Sequence, residues 1–267
     1  MLKERVFIVF CLLVFVFSLS GFRNIEDLKT ELDNVVVVAQ EIKDPQAIEI
    51  ALFLQDNAIP AEPNEKGIRI LEDSKDGNWV AVVFLFEKDR ETGEHWKDIL
   101  NVNSAANFLA EIKTIVLKNN DFGPTVKALV LFHEGFHALS YARKPYEERD
   151  EKDFCFEELS AHVLQNRLML LIGKEKYRLL LEKEVQRMTK EAESLGGKPG
   201  ETIPGMLSSP ELEEVFGKPA SENEYEFIQT SFWIHAAMVF IEKNYKGDAE
   251  RQKAAFLQTI YEEEGVL

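Results

Sequence analysis

The sequence predicts a mainly helical α+β fold, with a small mixed or antiparallel sheet packed against a helix that contains the motif HExxH. Apolar residues recur at helical spacing near the start of the chain and through most of its C-terminal half. Between these regions, residues 67–118 contain short runs of β-branched and aromatic residues that are typical of strands. The chain has 267 residues, of which 45% are hydrophobic and 29% charged. This composition indicates a globular protein with enough length to bury a sizeable core.

The first residues have the pattern of a secretory signal. Lys3 and Arg5 precede an uncharged run at residues 6–19, and small residues follow that run. We expect residues 1–20 to form a signal peptide cleaved near Ser20, although a run of this length also allows an uncleaved N-terminal anchor. The protein is therefore predicted to be secreted or to lie in the cell envelope, with membrane contact only through such an anchor.

Cysteine usage and net charge narrow the possible partners. Cys11 lies inside the signal run without small residues before it, so it does not have the pattern of a lipidation site. Cys155 is then the only cysteine of the mature chain, so no internal disulfide can form, and we expect its side chain in the core. The net charge is −16, from 31 basic and 47 acidic residues. This charge argues against binding nucleic acid or an anionic membrane through a basic surface.

The N-terminal elements alternate between helix and strand patterns. Residues 25–43 have apolar positions at helical spacing, and this periodicity outweighs the strand propensity of the run VVVV. Asp44 and Pro45 suit the N-cap and first turn of a second helix, which the proline-containing segment 58–67 should end. Beyond it, GIRILE and NWVAVVFLFEK are joined by a turn with Asp-Gly, and together they predict a β-hairpin.

The middle of the chain leads into the helix with HExxH. We expect His95 in an exposed loop, a short helix at residues 101–111 and a strand at residues 112–119. Gly123 and Pro124 suit the start of the motif helix. The rest of the chain predicts helices at residues 154–172, 174–195, 223–243 and 248–262, with a long loop rich in Gly and Pro at residues 196–224.

The segment LVLFHEGFHALSY carries the strongest functional signal. His133 and His137 are four residues apart, so in a helix both imidazoles lie on one face and can bind one metal ion. Glu134 lies beside them, and in HExxH sites such a carboxylate accepts a proton from the zinc-bound water. The alternative is a pair of hydrogen-bonded histidines in a helix that only packs, but burying these groups without a cation would be costly. The motif therefore predicts a Zn²⁺ site with His133 and His137 as ligands and Glu134 as general base.

The helix predicted at residues 154–172 offers a third metal ligand. Glu157 and Glu158 are adjacent and face different directions, so only one of them can coordinate the ion. Glu158 shares a helix face with His162 and Gln165, whereas Glu157 has no such neighbours. We therefore expect Glu158 as the ligand and His162 as an outer-shell residue that supports the site. The alternative is that Glu158 is a solvated charge at the start of the helix.

The motif HExxH at residues 133–137 is followed by ELSAH at residues 158–162. In these motifs, the region 108–172 resembles the gluzincin clan of zinc metallopeptidases, which includes thermolysin and the membrane-associated CaaX-type proteases. The resemblance implies a zincin-like fold, in which residues 24–267 would form a single metallopeptidase domain. It also implies a zinc ion as cofactor and a peptide or protein as substrate.

The resemblance has one departure at the second motif. In the gluzincin families the third ligand is a Glu, here matched by Glu158, and an Asp four residues later orients a histidine ligand. His162 stands in place of that Asp, which leaves the outer shell of the site in question. The metzincin pattern, a competing zinc motif, is excluded because Ser140 and Arg143 stand where it requires Gly and His.

The resemblance further implies a group on a later helix that stabilises the oxyanion, as a His or Tyr does in thermolysin-like enzymes. His235 is the only histidine after the ligand helix, so it is the candidate for this catalytic role. Its apolar neighbours fit a hydrogen-bonded core histidine equally well, and Tyr225 or Tyr245 could serve instead.

These features together predict an exported zinc-dependent metallopeptidase that hydrolyses peptide bonds. The cleft is expected between the strand at residues 111–118 and the loop at residues 196–224, with an extended peptide pairing to that strand if it is a sheet edge. The alternative is a non-catalytic, zinc-stabilised binding protein of the cell envelope. A third and weaker interpretation is a metal-free interaction protein.

Overall fold

The computed structural model describes most of the chain after the predicted signal segment. The described residues are 26–71, 79–86, 89, 91–101, 105–118, 122–145, 148–149, 151–194, 204–248, 252 and 254–256. The predicted signal peptide with Cys11, the Asp-Gly turn, the side chain of Cys155 and residues 257–262 of the last predicted helix lie outside them.

The described part is mainly helical with one small mixed sheet, which confirms the predicted α+β class. Its helices are α1 (26–42), α2 (Pro45–Asn57), α3 (Glu94–Asn101), α4 (Pro124–Arg143), α5 (Glu151–Ser194), α6 (Glu213–Phe216) and α7 (Glu222–Asn244). Its strands are β1 (Ala58–Asn64), β2 (Gly67–Ile70), β3 (Val80–Leu85), β4 (Ala106–Leu109) and β5 (Thr114–Lys118). None of the described helices combines the length and apolarity that crossing a membrane requires.

The first two helices form as their local signals predict. In α1, Leu28, Leu32 and Val35 are buried at helical spacing, so VVVV is helical despite its strand propensity. The Asp44 carboxylate caps α2, since its Oδ1 accepts hydrogen bonds from the backbone N–H groups of Gln46 and Ala47, both at 3.0 Å. These two boundaries were predictable because periodicity and caps are local.

The sheet has the strand order β2-β1-β3-β5-β4. Strands β1, β3 and β5 are parallel, and β2 and β4 are antiparallel strands at the two ends of that order. The predicted hairpin between GIRILE and NWVAVVFLFEK is wrong, because β2 pairs with β1 and β3 pairs in parallel with β1. The segment 58–67 was taken for a loop because of its prolines. Pro60 nevertheless joins the sheet through its carbonyl, which accepts from Leu71 N at 3.0 Å.

A second correction concerns the chain between β3 and β5. The segment predicted as a helix at 101–111 contains strand β4 instead, and a helix, α3, precedes it. Trp96 is fully buried and its Nε1 donates to Asn64 O at 3.0 Å, which fixes α3 against β1. His95 therefore lies half-buried on a helix and not in an exposed loop.

The position of β5 rules out one expected feature of the cleft. Thr114–Lys118 pairs with β3 on one side and with β4 on the other. A strand with partners on both sides is not a sheet edge, so the condition for a peptide to pair with residues 111–118 is not met. The outer strand on this side of the sheet is β4.

Helix α4 is held closely by its neighbours. It begins with Pro124 after Gly123, as predicted, and the backbone N–H of Gly123 donates to Glu224 Oε1 of α7 at 3.0 Å. Gly135, inside HExxH, lies against α2, where an added Cβ would come within 2.7 Å of Ile50 Cγ2. The motif helix therefore packs against α2 at a distance that only glycine permits.

The C-terminal half carries the two long helices that complete the site. Helix α5 has a non-helical residue at Lys174 (φ 50°, ψ −134°), which agrees with the predicted break between residues 172 and 174. Helix α7 begins after Ser221, whose hydroxyl accepts from Glu224 N at 3.1 Å. The predicted loop 196–224 has structure of its own in its described part: a 3₁₀ turn at Pro210–Leu212 and the short helix α6.

Candidate metal centre

Four side chains from two helices converge between α4 and α5, and we call them the His–Glu cluster: His133, His137, Glu158 and His162. The Nε2 atoms of His133 and His137 are 3.3 Å apart. The Glu158 carboxylate lies between the rings, with Oε1 at 3.3 Å from His133 Nε2 and Oε2 at 3.3 Å from His137 Nε2. His162 Nε2 also lies 3.3 Å from Glu158 Oε1. HExxH thus places its two imidazoles against the downstream helix that was predicted to supply the third ligand.

These separations match the geometry of a coordinated ion. With metal–ligand bonds of about 2.0–2.1 Å, two ligands of a tetrahedral zinc ion lie roughly 3.3–3.4 Å apart. In particular, His133, Glu158 and His162 present ligand atoms that all lie within 4.8 Å of one another. This group could therefore hold a metal ion. A second triad, with His137 in place of His162, shares His133 and Glu158 with the first.

The outer nitrogens of the two motif histidines are already occupied. His137 Nδ1 lies 2.8 Å from Glu157 Oε1, and His133 Nδ1 lies 2.9 Å from Gln165 Oε1. Both partners are acceptors, so both Nδ1 atoms are assigned as N–H donors. In their neutral forms the two imidazoles then direct Nε2 lone pairs into the cluster.

Hydrogen-bond acceptors consequently lie close together at the centre of the cluster. Two Nε2 lone pairs and the Glu158 carboxylate face one another and cannot satisfy one another without a proton or a cation between them. A carboxylate beside two or three imidazoles is also a donor set that zinc accepts. The residues present therefore fit a divalent ion on chemical as well as geometric grounds.

Glu157 is the functional residue that the sequence interpretation missed. Besides His137, it accepts from Ser140 Oγ at 2.6 Å and from the Arg149 guanidinium, whose side chain is only 3% exposed. Arg149 also donates to Lys144 O at 2.6 Å. The helix-face argument found no partners for Glu157, because its neighbours come from α4 and from the segment before α5. Spacing within one helix could not reveal them.

The outer-shell position expected for His162 is thus filled by other residues. Glu157 orients His137, and Gln165 orients His133. Gln165 in turn donates through Nε2 to Ser231 Oγ at 2.7 Å, which links the site to α7. His162 instead directs its Nε2 at the carboxylate of Glu158.

The charges around the cluster shift the pKa values of its members. Burial alone would lower the pKa of His137, but its contacts with Glu157 and Glu158 raise that pKa to about 10. Burial alone would raise the pKa of Glu158, but its contacts with the three imidazoles of the cluster bring it well below the usual range. The pKa of Glu157 is likewise lowered by His137 and Ser140 against the effect of burial. These surroundings favour the ionised forms of Glu157 and Glu158 and a positive charge on His137.

Glu134 lies next to the cluster and is buried, with 8% of its surface exposed. Its charge contributes to the raised pKa of His137, which indicates that the carboxylate is close to the imidazole. Lys118, at the end of β5, is buried too. Burial lowers its pKa to about 8, although the charge of Glu134 opposes this shift. A carboxylate and an amine thus lie together beside the cluster.

His235 lies in a different environment. Its Nδ1 is 2.9 Å from the hydroxyl of Tyr177, and the two rings stack with centroids 5.6 Å apart. Burial lowers its pKa to about 4. Within the described part of the chain, no hydrogen bond or ion pair joins His235 to the His–Glu cluster. Its predicted role as a catalytic residue remains a prediction, and its contacts are those of a satisfied core histidine.

The two tyrosines considered as alternatives have the following positions and contacts. Tyr225 OH is 2.8 Å from Ser208 Oγ and accepts from Gln229 Nε2 at 2.6 Å. Tyr245 follows the last residue of α7. It lies roughly 20 Å along the helix axis from Ser231, at which α7 meets the site.

A cavity of about 110 Å³ lies along α4, beside the turn that follows His137. Ala138 and Tyr141 of α4 line it together with Phe108 of β4, whose ring contacts Tyr141 edge-on at 5.8 Å. Lys113 supplies a positive charge at the same cavity. The space is therefore continuous with the motif helix and with the outer strand of the sheet.

Comparisons of this chain with protein-family models, with curated proteins and with solved structures found no match. The residues and their geometry define this site as a candidate metal centre.

Proposed function

We propose that this protein is an exported zinc-dependent metallopeptidase of the gluzincin type, with a zincin-like domain. One observation carries the proposal: the Nε2 atoms of His133 and His137 converge with the Glu158 carboxylate at 3.3 Å, and the buried Glu134 lies beside them. Metal ligands next to a carboxylate outside the ligand set are what hydrolysis at a metal centre requires.

Zinc is the ion proposed because of the donor set. Neutral imidazoles with one carboxylate are characteristic of catalytic zinc sites, whereas calcium and magnesium prefer oxygen ligands. When bound, zinc would polarise the scissile carbonyl and make a water molecule acidic. Glu157 and Gln165 would hold the two imidazoles in the tautomers that leave Nε2 free to coordinate.

Glu134 would move the proton. Its carboxylate would take the proton from the attacking water and then give it to the leaving amine. Lys118, with a pKa near 8, is mostly protonated at neutral pH and so keeps a positive charge near Glu134. The general base would therefore work beside a positive charge.

The substrate would lie along α4. The outer strand β4 replaces β5 as the proposed partner of an extended peptide, because only an outer strand can accept another. Phe108 and Tyr141 would then contact an apolar side chain of that peptide in the neighbouring cavity. A peptide or protein outside the cell is the substrate class consistent with the predicted signal segment.

The test is Glu134→Gln, because the amide keeps the shape of the side chain and leaves the ligands in place. Turnover of a mixed library of unstructured peptides should fall about 100-fold to 10,000-fold, while zinc content and thermal stability stay at the wild-type level. Glu31→Gln is the matched control. Glu31 is also 8% exposed, but it pairs with Lys127 outside the cluster.

Three outcomes separate the possibilities. Equal zinc-dependent turnover by the wild type and Glu134→Gln would mean that Glu134 is not the base. Zinc binding without any cleavage by the wild type would favour the zinc-stabilised binding protein. Cleavage by the wild type and by Glu31→Gln, lost only in Glu134→Gln, is the result that we expect.

A further inference from the structure

We propose that His162 is itself a metal ligand, so that the ion is held by three imidazoles and one carboxylate. This inference rests on the zinc site of the proposed function and goes beyond it. The sequence interpretation placed His162 in the outer shell, and the gluzincin pattern has an Asp at that position.

The distances in the site fall into two groups. Where a hydrogen bond is made, the atoms are close: 2.8 Å between His137 Nδ1 and Glu157 Oε1, and 2.9 Å between His133 Nδ1 and Gln165 Oε1. Charge-assisted hydrogen bonds of this kind usually span about 2.7–2.9 Å. The contact of His162 Nε2 with Glu158 Oε1 is 3.3 Å and does not belong to this group.

The second group contains the longer distances, which join the atoms that would surround the proposed ion. His133 Nε2 lies 3.3 Å from the same oxygen, Glu158 Oε1, and His137 Nε2 lies 3.3 Å from Oε2. His162 thus lies at the same distance from the carboxylate as the two motif histidines do. Roughly 3.3–3.4 Å is the separation of two ligands on one zinc ion. Relative to the Glu158 carboxylate, the structure places the His162 nitrogen at the same distance as the other two.

Burial and ring packing support the same assignment. His162 is 5% exposed, and its ring packs edge-on against His133 with centroids 4.9 Å apart. His162, His133 and Glu158 form a group in which one ligand atom from each residue lies within 4.8 Å of the others. A side chain this buried has little freedom to turn its Nε2 towards water.

As a third imidazole ligand, His162 would add a donor atom to the ion and no charge to the site. An outer-shell Asp would add a negative charge behind a ligand, whereas His162 adds a neutral donor on the ion itself. With four protein ligands, water would have to bind as a fifth ligand, which zinc sites accommodate. His162 would thereby control how much room the reacting water has.

The experiment counts imidazoles directly. The mature chain is labelled with ¹⁵N at its five histidines and loaded with ¹¹³Cd²⁺, a spin-active stand-in for zinc. Only a ring nitrogen bonded to the metal is split by coupling to ¹¹³Cd, because a hydrogen bond to a ligand carries no such coupling. The wild type should show three split Nε2 signals, and His162→Gln should show two. The matched control His235→Gln, which alters a buried histidine outside the cluster, should keep all three.

The outcomes separate this inference from the function on which it rests. Two split signals in the wild type, assigned to His133 and His137, would overturn the role of His162 and leave the proposed zinc site standing. No bound cadmium or zinc at all would overturn both. Three split signals in the wild type support the proposal even if His162→Gln does not fold, since the count is made on the native chain.

Discussion

Two places in this protein bury histidine side chains, and they do so in opposite ways. In the His–Glu cluster, His137 lies between two carboxylates that raise its pKa to about 10. Between α5 and α7, His235 lies against the neutral hydroxyl of Tyr177, and burial lowers its pKa to about 4. One environment attracts positive charge and the other rejects it.

The comparison shows what separates a candidate ligand from a core histidine. His235 has one ring nitrogen satisfied by a neutral partner and needs no ion. His133 and His137 each have Nδ1 satisfied by an outer acceptor and direct Nε2 at a carboxylate. Burial and helical position are alike in both places, so the difference lies in whether acceptors meet without a donor between them.

The largest expected effect is on metal binding. His137→Ala should lose zinc, with an affinity lower by roughly 1,000-fold or more, because direct ligands contribute more than the outer partners that cost 10–100-fold. His235→Ala should keep one zinc per chain. Metal analysis of both purified variants after dialysis against the same zinc concentration measures this, and equal zinc in the two would remove the distinction between the sites.

The next effect is on the free energy of unfolding and depends on His235 alone. Its folded pKa of about 4 lies below the ordinary histidine pKa of 6.5, so the fold keeps its full stability above pH 6.5 and loses stability below it. As the pH falls from 7 to 4.5, the unfolded state gains a proton that the folded state resists. This should cost the wild type roughly 2–3 kcal/mol of unfolding free energy.

The measurement is urea unfolding of the metal-free wild type and of His235→Phe at the two pH values. The variant should lose less stability between pH 7 and pH 4.5 by that amount, since it has no imidazole to protonate there. The same loss in both proteins would show that His235 is already charged, or exposed, in the folded state.

How far the sequence predicts these elements depends on the range of the interactions that form them. Helices α1 and α7 were predicted because their apolar periodicity and caps are local. Strands β1 and β4 were missed, because β1 contains two prolines and β4 has only four residues. Strand β1 pairs with the distant β3, whereas β4 forms an antiparallel pair with β5, the strand that follows it. The predicted pairing of β2 with β3 failed because β3 pairs in parallel with β1 and β5.

The same rule applies to the candidate metal centre. The spacing of His133 and His137 and the helix face of Glu158 are local, and the structure brings these residues together. Glu157 was set aside because its partners, Ser140 and Arg149, come from other elements. Its neighbour Glu158 faces the cluster, so two adjacent carboxylates on one helix serve the site from different sides.

Substitution of Glu157 should change zinc affinity by a smaller factor than substitution of His137. In Glu157→Gln, His137 loses its charged partner but keeps a possible acceptor, so zinc affinity should fall about 10-fold to 100-fold. Glu211→Gln, on an exposed ion pair with Lys183, is the control and should leave the affinity unaltered. Competition with a fluorescent chelator measures all three proteins, and wild-type affinity in Glu157→Gln would show that His137 needs no orientation by this carboxylate.

The smallest effect is the pH dependence of metal affinity, and its sign follows from the raised pKa of His137. In the metal-free protein both ring nitrogens of His137 carry a proton below about pH 10. A metal ion must displace the proton on Nε2 to bind there. Zinc affinity should therefore rise with pH, by at least about tenfold from pH 6 to pH 7, because one proton is released for each ion bound. Protonation of other imidazoles at the lower pH would steepen this slope and could not reverse it. Chelator competition at the two pH values, corrected for protonation of the chelator, gives the slope. An affinity that does not change with pH would mean that the acceptors of the cluster meet without a proton, and the contrast with His235 would then need another explanation.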